Sequence, residues 1–298
     1  MSRGFRQRLG TNRKTNMKAT ISIVLYNQLQ FSKDCLKYLF KNTDPNLFEL
    51  AIIDNSSTDG TKEWLKNDFA KSEEYQSVKT MIYFNDKNAG FAYAHNQAGK
   101  DCQTDCFIAL NNDIIPLKGW LEPILTAIQL PEIGIIGSKL ISPKFMGIQH
   151  AGVVFLEDGR PYHRYLEYEP DSQEVNRPEY VPAVTGACFA VKKSLWDMLG
   201  GFDQRYWCGW EDIAFCLLAR EKGYKVFYEP RSQLYHYEGE TEGRYSKEDA
   251  NRELFFKEWR EKIDLWGNKD YSDYQKEIKL KDRSPKKIEI KNVKIKEA

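Results

Sequence analysis

Short apolar runs alternate with amphipathic ones over the first half of the chain. TISIVLYN (20–27), FELAIIDN (48–55), KTMIYFN (79–85) and CFIALNND (106–113) are rich in apolar and β-branched residues and end on polar ones, the pattern of buried strands. Between them, FSKDCLKYLFKNT (31–43), TKEWLKNDFAKS (61–72) and AYAHNQAGKD (92–101) carry apolar residues at helical spacing. Strands apolar on both faces and separated by helices predict a parallel sheet covered on both sides. An open α/β sheet is therefore expected over residues 18–130.

Beyond residue 130 the pattern mixes. IGIIGSKLISP and IQHAGVVFLEDGRPYHR read as short strands with a hairpin signal at Asp158-Gly159. VPAVTGACFAVKKSLWDMLGGFDQRY reads as strand, helix and Gly-rich turn, WCGWEDIAFCLLAREKG as a helix opening on acids, and KVFYEPRSQLYHYEG as a last strand pair ending near His236. These divisions predict a basic tail at 1–17, one domain at 18–265 with halves at 18–130 and 131–265, and a charged tail at 266–298.

Composition adds exclusions. Basic and acidic residues number 44 and 43, giving a net charge of +1, so no overall field recommends nucleic acid as partner. No run reaches the roughly 18 apolar residues of a spanning helix, and the N-terminus lacks the apolar centre of a signal peptide, which predicts a cytoplasmic protein. The basic tail leaves room for at most a peripheral contact with anionic lipid. Six cysteines without CxxC spacing suit reduced core thiols better than disulfides or zinc.

In open α/β sheets ligands sit beyond the carboxyl ends of the strands, so the polar strand ends carry the candidate chemistry. Asp54 begins DNSSTDGT, a run supplying cap side chains and exposed backbone donors to the next helix, with Ser56 and Asp59 as the caps. NDKNAGF places Asn88 and Gly90 before a helix whose Asn96 is expected to face the same edge. ALNND ends on Asn111, Asn112 and Asp113. Each feature alone also serves as ordinary turn or cap chemistry.

Taken in order, Asp54, NAGF at 88–91, NND at 111–113, WED at 210–212 and His236 resemble glycosyltransferase family 2, over roughly residues 18–260. The resemblance implies the GT-A fold: a Rossmann-like open mixed sheet with helices on both faces and a smaller acceptor-side β region. It implies a divalent cation, Mn²⁺ or Mg²⁺, on the diphosphate of a nucleotide sugar, held by Asp113 and His236. Asn111 stands where the family's motif has its first acid, and one carboxylate binds a hard cation less tightly than two. Neutral imidazole suits Mn²⁺ better than Mg²⁺.

By the same resemblance Asp54 would accept the imino N–H of a uracil or thymine, with Tyr26 and Asn88 beside it. Gly90, Asn111 and Asn112 would border the nucleotide, and Gly186-Ala187 would form a small-residue loop under the donor sugar. Asp212 would be the base that takes the proton of an acceptor hydroxyl, and Glu211 its acceptor-binding neighbour. Trp207 and Trp210 are candidates to stack on an acceptor sugar. The implied activity is inverting, metal-dependent transfer of a rhamnosyl or hexosyl group from a UDP- or dTDP-sugar to a glycan or lipid-linked glycan, as in surface polysaccharide assembly. Two rivals stay open: a non-catalytic GT-A scaffold, and a nucleotidyltransferase, for which the stretch after the first strand lacks a Gly-rich phosphate loop.

Overall fold

The computed structural model describes residues 17–238 and 247–280, with side chains to residue 265. The expected N-terminal tail, but for Met17, lies outside the described residues, as does everything beyond 280. The four expected strands are β1 (Ala19–Leu25), β2 (Phe48–Asp54), β3 (Thr80–Phe84) and β4 (Cys106–Asn111). They run parallel in the order β3-β2-β1-β4. Their crossovers are α1 (Leu29–Asn42), α2 (Thr61–Asn67) with α3 (Glu73–Ser77), and α4 (Phe91–Asp101). The single helix expected over 61–72 stops at Asn67 because Asn and Asp are weak helix formers. After a 3₁₀ turn, the Ser72 side chain restarts the chain as α3 by accepting the Tyr75 N–H.

The second half supplies β5 (Ile114–Pro116), α5 (Leu121–Ala127), β6 (Ile133–Ser142), β7 (Gly147–His150), β8 (Val153–Phe155), β9 (Pro161–His163), β10 (Glu179–Val181), β11 (Cys188–Lys192), α6 (Lys193–Leu199), α7 (Glu211–Glu221), β12 (Lys225–His236) and α8 (Glu248–Leu280). Beyond β4 the sheet continues β11-β6-β12-β10. There β11 is antiparallel to both neighbours and β12 is parallel to β6, so the sheet is mixed. The Asp158-Gly159 turn joins the separate β8-β9 hairpin. α8 runs unbroken across residue 265, where the sequence suggests a boundary.

Side-chain alternation builds two cores, one on each face of this sheet. Leu50 and Ile52 pack with Cys35, Leu36 and Leu39 of α1 and Leu121, Ile124 and Leu125 of α5. Ala51 and Ile53, one residue out of phase, pack with Ala94 and Ala98 of α4, Trp196 of α6, Phe215 of α7 and Phe255 and Trp259 of α8. Gly99 lies against the Trp196 indole, which a Cβ would strike, so α4 sits close to α6 only because that position is glycine.

The expected strand pair at 225–239 is instead the single strand β12. Its register against β6 jumps between Glu229, opposite Ser138, and Gln233, opposite Lys139. Pro230 suits a bulge because it has no N–H to leave unpaired. The buried Glu229 carboxylate closes the bulge by accepting the Arg231 N–H at 3.0 Å and its guanidinium at 2.9 and 2.8 Å.

Candidate active site

The carboxyl ends of β1, β2 and β4 open into one cleft. Tyr26, Asn55, Asn88, Gly90, Asn111, Asn112 and Asp113 line one side, and Gly186, Ala187, Trp207, Glu211 and Asp212 the other. Ten of the twelve candidate residues thus share one space. His236 stands directly behind Asp113, and Asp54 is the exception.

Amides build the wall beside β2. Asn55 donates to Asn88 Oδ1 at 2.8 Å and accepts from Asn85 Nδ2 at 3.0 Å and from the Ala89 N–H at 3.1 Å. Asn88 Oδ1 also takes the Gly90 N–H at 3.0 Å. Gly90 has a φ of +86° and lies against the Trp207 backbone and ring, where a side chain would collide. The Trp207 carbonyl accepts the Phe91 N–H at 2.9 Å, pinning the first turn of α4 to the opposite wall.

Asp54 departs from expectation. It is the last residue of β2 and shares the face of Leu50 and Ile52, so it turns into the core side and is fully buried. Its Oδ1 accepts the Ser57 N–H at 3.2 Å, while Oδ2 is enclosed without a hydrogen-bond partner, and burial raises its pKa. The polar side chain delivered to the cleft from this strand end is Asn55. Asn96 likewise does not face the cleft: its amide exchanges two hydrogen bonds with the Phe202 backbone, at 2.8 and 2.9 Å. Ser56 donates to the Asp86 carbonyl instead of capping a helix, whereas Asp59 accepts the N–H groups of Thr61 and Leu29.

At the end of β4, Asp113 and His236 are both buried, with His236 Nε2 at 3.3 Å from Asp113 Oδ1 and 3.4 Å from Asn111 Nδ2. His236 Nδ1 lies 2.7 Å from Gln149 Oε1. Nε2 thus has an amide donor and a carboxylate acceptor within reach, and it offers a lone pair there when Nδ1 carries the ring proton. That donor set suits a divalent cation of intermediate hardness. Among the described residues no three His, Cys, Asp or Glu side chains converge to hold a metal by themselves. Asn112 is engaged elsewhere, donating to Ser32 Oγ of α1 at 3.0 Å.

Across the cleft, α7 starts at Glu211 after Trp210, whose φ is +79°. Asp212 Oδ2 accepts the Gly186 N–H at 2.5 Å. Adjacent helical residues point roughly 100° apart, and Glu211 is indeed buried whereas Asp212 is half-exposed. Asp212 also lines a second groove with Arg160, Tyr162, His163, Trp210 and Arg252, and the two spaces share Thr185, Cys208 and Gly209. Trp210 is fixed there by Glu248 Oε1, which accepts its indole N–H at 2.9 Å, and by the Phe255 ring at 4.8 Å. Trp207 faces the first cleft.

The sequence does not single out Asn55, Thr185, Cys208 or Gln149. For Asn55 the signal was present in the alternation of β2. Cys208 is half-buried, and among the described residues all six cysteines are free thiols, five of them buried.

Residues 20–197 match the family described as Glycosyl transferase family 2. The chain belongs to glycosyl transferase family 2. Among relatives of this family member, the O-antigen biosynthesis protein RfbC of Myxococcus xanthus is 28% identical over 64% of this chain and 15% of its own length. The N-acetylglucosaminyl-diphospho-decaprenol L-rhamnosyltransferase of Mycobacterium tuberculosis is 24% identical over 65% of this chain and 67% of its own. An uncharacterised Sinorhizobium fredii protein, y4gI, is 27% identical over 76% of this chain, which spans only a quarter (25%) of that relative. The structure of GalNAc-T7 with UDP, GalNAc and Mn²⁺ superposes with a TM-score of 0.63 at 17% identity, over 75% of this chain and 44% of that one. The mannosyltransferase PcManGT of Pyrobaculum calidifontis with GDP-Man and Mn²⁺ gives 0.57 at 17% identity, over 83% and 66%. The fold of this family 2 chain is GT-A.

Proposed function

We propose that the protein is an inverting glycosyltransferase that moves a sugar, rhamnosyl or hexosyl, from a UDP- or dTDP-linked donor to a hydroxyl of a glycan or lipid-linked glycan. The observation that carries this reading is the position of Asp212, at the junction of the two spaces. The donor occupies the cleft at the strand ends, the acceptor the groove lined by Tyr162 and Trp210, and the carboxylate stands between them. Asp212 takes the acceptor's hydroxyl proton as the new bond forms at the anomeric carbon and the bond to the diphosphate breaks. Attack from the face opposite the leaving group inverts that carbon.

Asp113 and His236 would hold a divalent cation, which supplies charge neutralisation to the departing diphosphate. With two protein ligands, the cation would depend on the donor for the rest of its set. Tyr26, Asn55 and Asn88 border the base, and Asp54 supports their loop from beneath. The names of the relatives favour surface polysaccharide assembly. Among the described residues no helix is long and apolar enough to cross a membrane. The basic tail proposed for lipid contact lies outside them.

Titration of UDP and dTDP with and without Mn²⁺ tests the reading. Binding enhanced by Mn²⁺ and lost in Asp113→Ala is expected; no binding under any condition would remove it. A non-catalytic scaffold is favoured by one observation, the amide of Asn111 where a second carboxylate would strengthen the site. Release of nucleoside diphosphate from a donor sugar would eliminate that alternative.

A further inference from the structure

Behind Asp113 and His236 lies a chain of side chains that bears on which nitrogen of the histidine carries its proton. Glu238 Oε2 accepts from Gln149 Nε2 at 2.5 Å. A carboxylate has no proton to offer at neutral pH, so this contact fixes which end of the Gln149 amide is NH₂. The amide oxygen is then the atom that faces His236 Nδ1 at 2.7 Å, and it can only accept. Nδ1 must carry the ring proton. On the other side Asn111 Nδ2, at 3.4 Å from Nε2, can only donate. In the neutral ring the lone pair is then on Nε2, although the Asp113 carboxylate 3.3 Å away would by itself favour an N–H there, so the choice rests on Gln149.

The chain is anchored at both ends. Gln149 lies in β7 and is buried, and the Glu238 carbonyl accepts from Lys144 Nζ at 2.9 Å, bridging the turn between β6 and β7 to the end of β12.

We infer that Gln149, oriented by Glu238, is a positioning residue that locks His236 as its Nδ1–H tautomer so that Nε2 is presented, with Asp113, to a divalent cation. The inference rests on the reading of Asp113 and His236 as cation ligands. A histidine that must choose between tautomers presents the wrong nitrogen part of the time, and partners that remove the choice typically strengthen metal affinity by roughly ten- to a hundredfold.

Two readouts separate this role from simple packing. In metal-free protein labelled with ¹⁵N-histidine, the imidazole shifts report the tautomer of His236. Electron paramagnetic resonance of free Mn²⁺, with UDP present, reports cation affinity. Gln149→Met keeps the length and loses the acceptor; it is expected to mix the tautomers and weaken Mn²⁺ about tenfold or more, with metal-free UDP affinity unchanged. The exchange Q149E/E238Q returns an acceptor to Nδ1 and a donor to its partner, and is expected to restore both readouts. Should Gln149→Met not fold, Glu238→Leu, which frees the amide to turn, is expected to shift both in the same direction. Mn²⁺ affinity and tautomer both unchanged in the variant that folds would overturn the role of Gln149 alone. Absence of Mn²⁺ uptake in the unsubstituted protein would instead overturn the cation reading, and the role with it.

Discussion

The backbone N–H of Gly186 is donated to the Asp212 carboxylate at 2.5 Å, tying the loop before β11 to the first turn of α7. The proposed base is therefore aimed by the loop proposed to lie under the donor sugar, which would set donor and base in one corner. Replacing the carboxylate by an amide keeps an acceptor for that N–H and removes the base. Asp212→Asn is expected to lower kcat by about 10²- to 10⁴-fold while donor affinity, measured by calorimetry, stays within about twofold.

Asn111 offers the converse experiment. Asn111→Asp sets a second carboxylate beside Asp113 and removes the donor to His236 Nε2. Without metal the like charges repel and the melting temperature is expected to fall. With Mn²⁺ it should recover, and Mn²⁺ affinity should rise about tenfold, or roughly 1.4 kcal/mol. Differential scanning fluorimetry with and without the ion reads both signs.

Gly90 admits no side chain. Its φ of +86° and its contact with Trp207 make Gly90→Ala strained twice over. A loss of at least about 1 kcal/mol, several degrees in Tm, is expected. Nucleotide binding should weaken as well, because the same turn carries Asn88. An unchanged Tm would contradict the packing of Trp207 across this turn.

Asp54 provides a pH test. Burial raises its folded-state pKa, so the folded protein holds that proton more tightly than the unfolded chain. This group penalises folding as pH rises through its folded value, and not at all below the unfolded one. Asp54→Asn keeps an acceptor for Ser57 and removes the penalty. Its Tm advantage over the parent is expected to be near zero at about pH 4 and to grow toward about pH 7. An advantage equal at both values would refute the burial account.

The first half of the fold was legible because near-continuous apolar strands admit few arrangements other than a covered parallel sheet. Asp113, Asp212 and His236 stand out in the sequence only as members of an ordered set, since nothing local announces that residues 113 and 236 meet. Asp54 stands apart from the other candidates: its phase with Leu50 and Ile52 turns it toward the core, and Asn55 is the polar residue of that strand end that lines the cleft. The break between α2 and α3 stood in Asn67-Asp68. Gln149 had no signal at all, because its contact with His236 depends on β7 and β12 flanking the same strand, β6.

β12 changes face in mid-strand. Phe227 and Leu234 belong to the same core although their offset along the chain is odd, which in an unbroken strand would set them on opposite faces. The three residues at 230–232, looped out between two consecutive partners on β6, reconcile them. His236 follows Leu234 by two and so inherits the corrected phase, on the side of Ile114, its partner across β5. The proposed cation site thus depends on register: a slip of one residue in the pairing of Gln233–Tyr235 with β6 would turn His236 to the opposite side of the sheet.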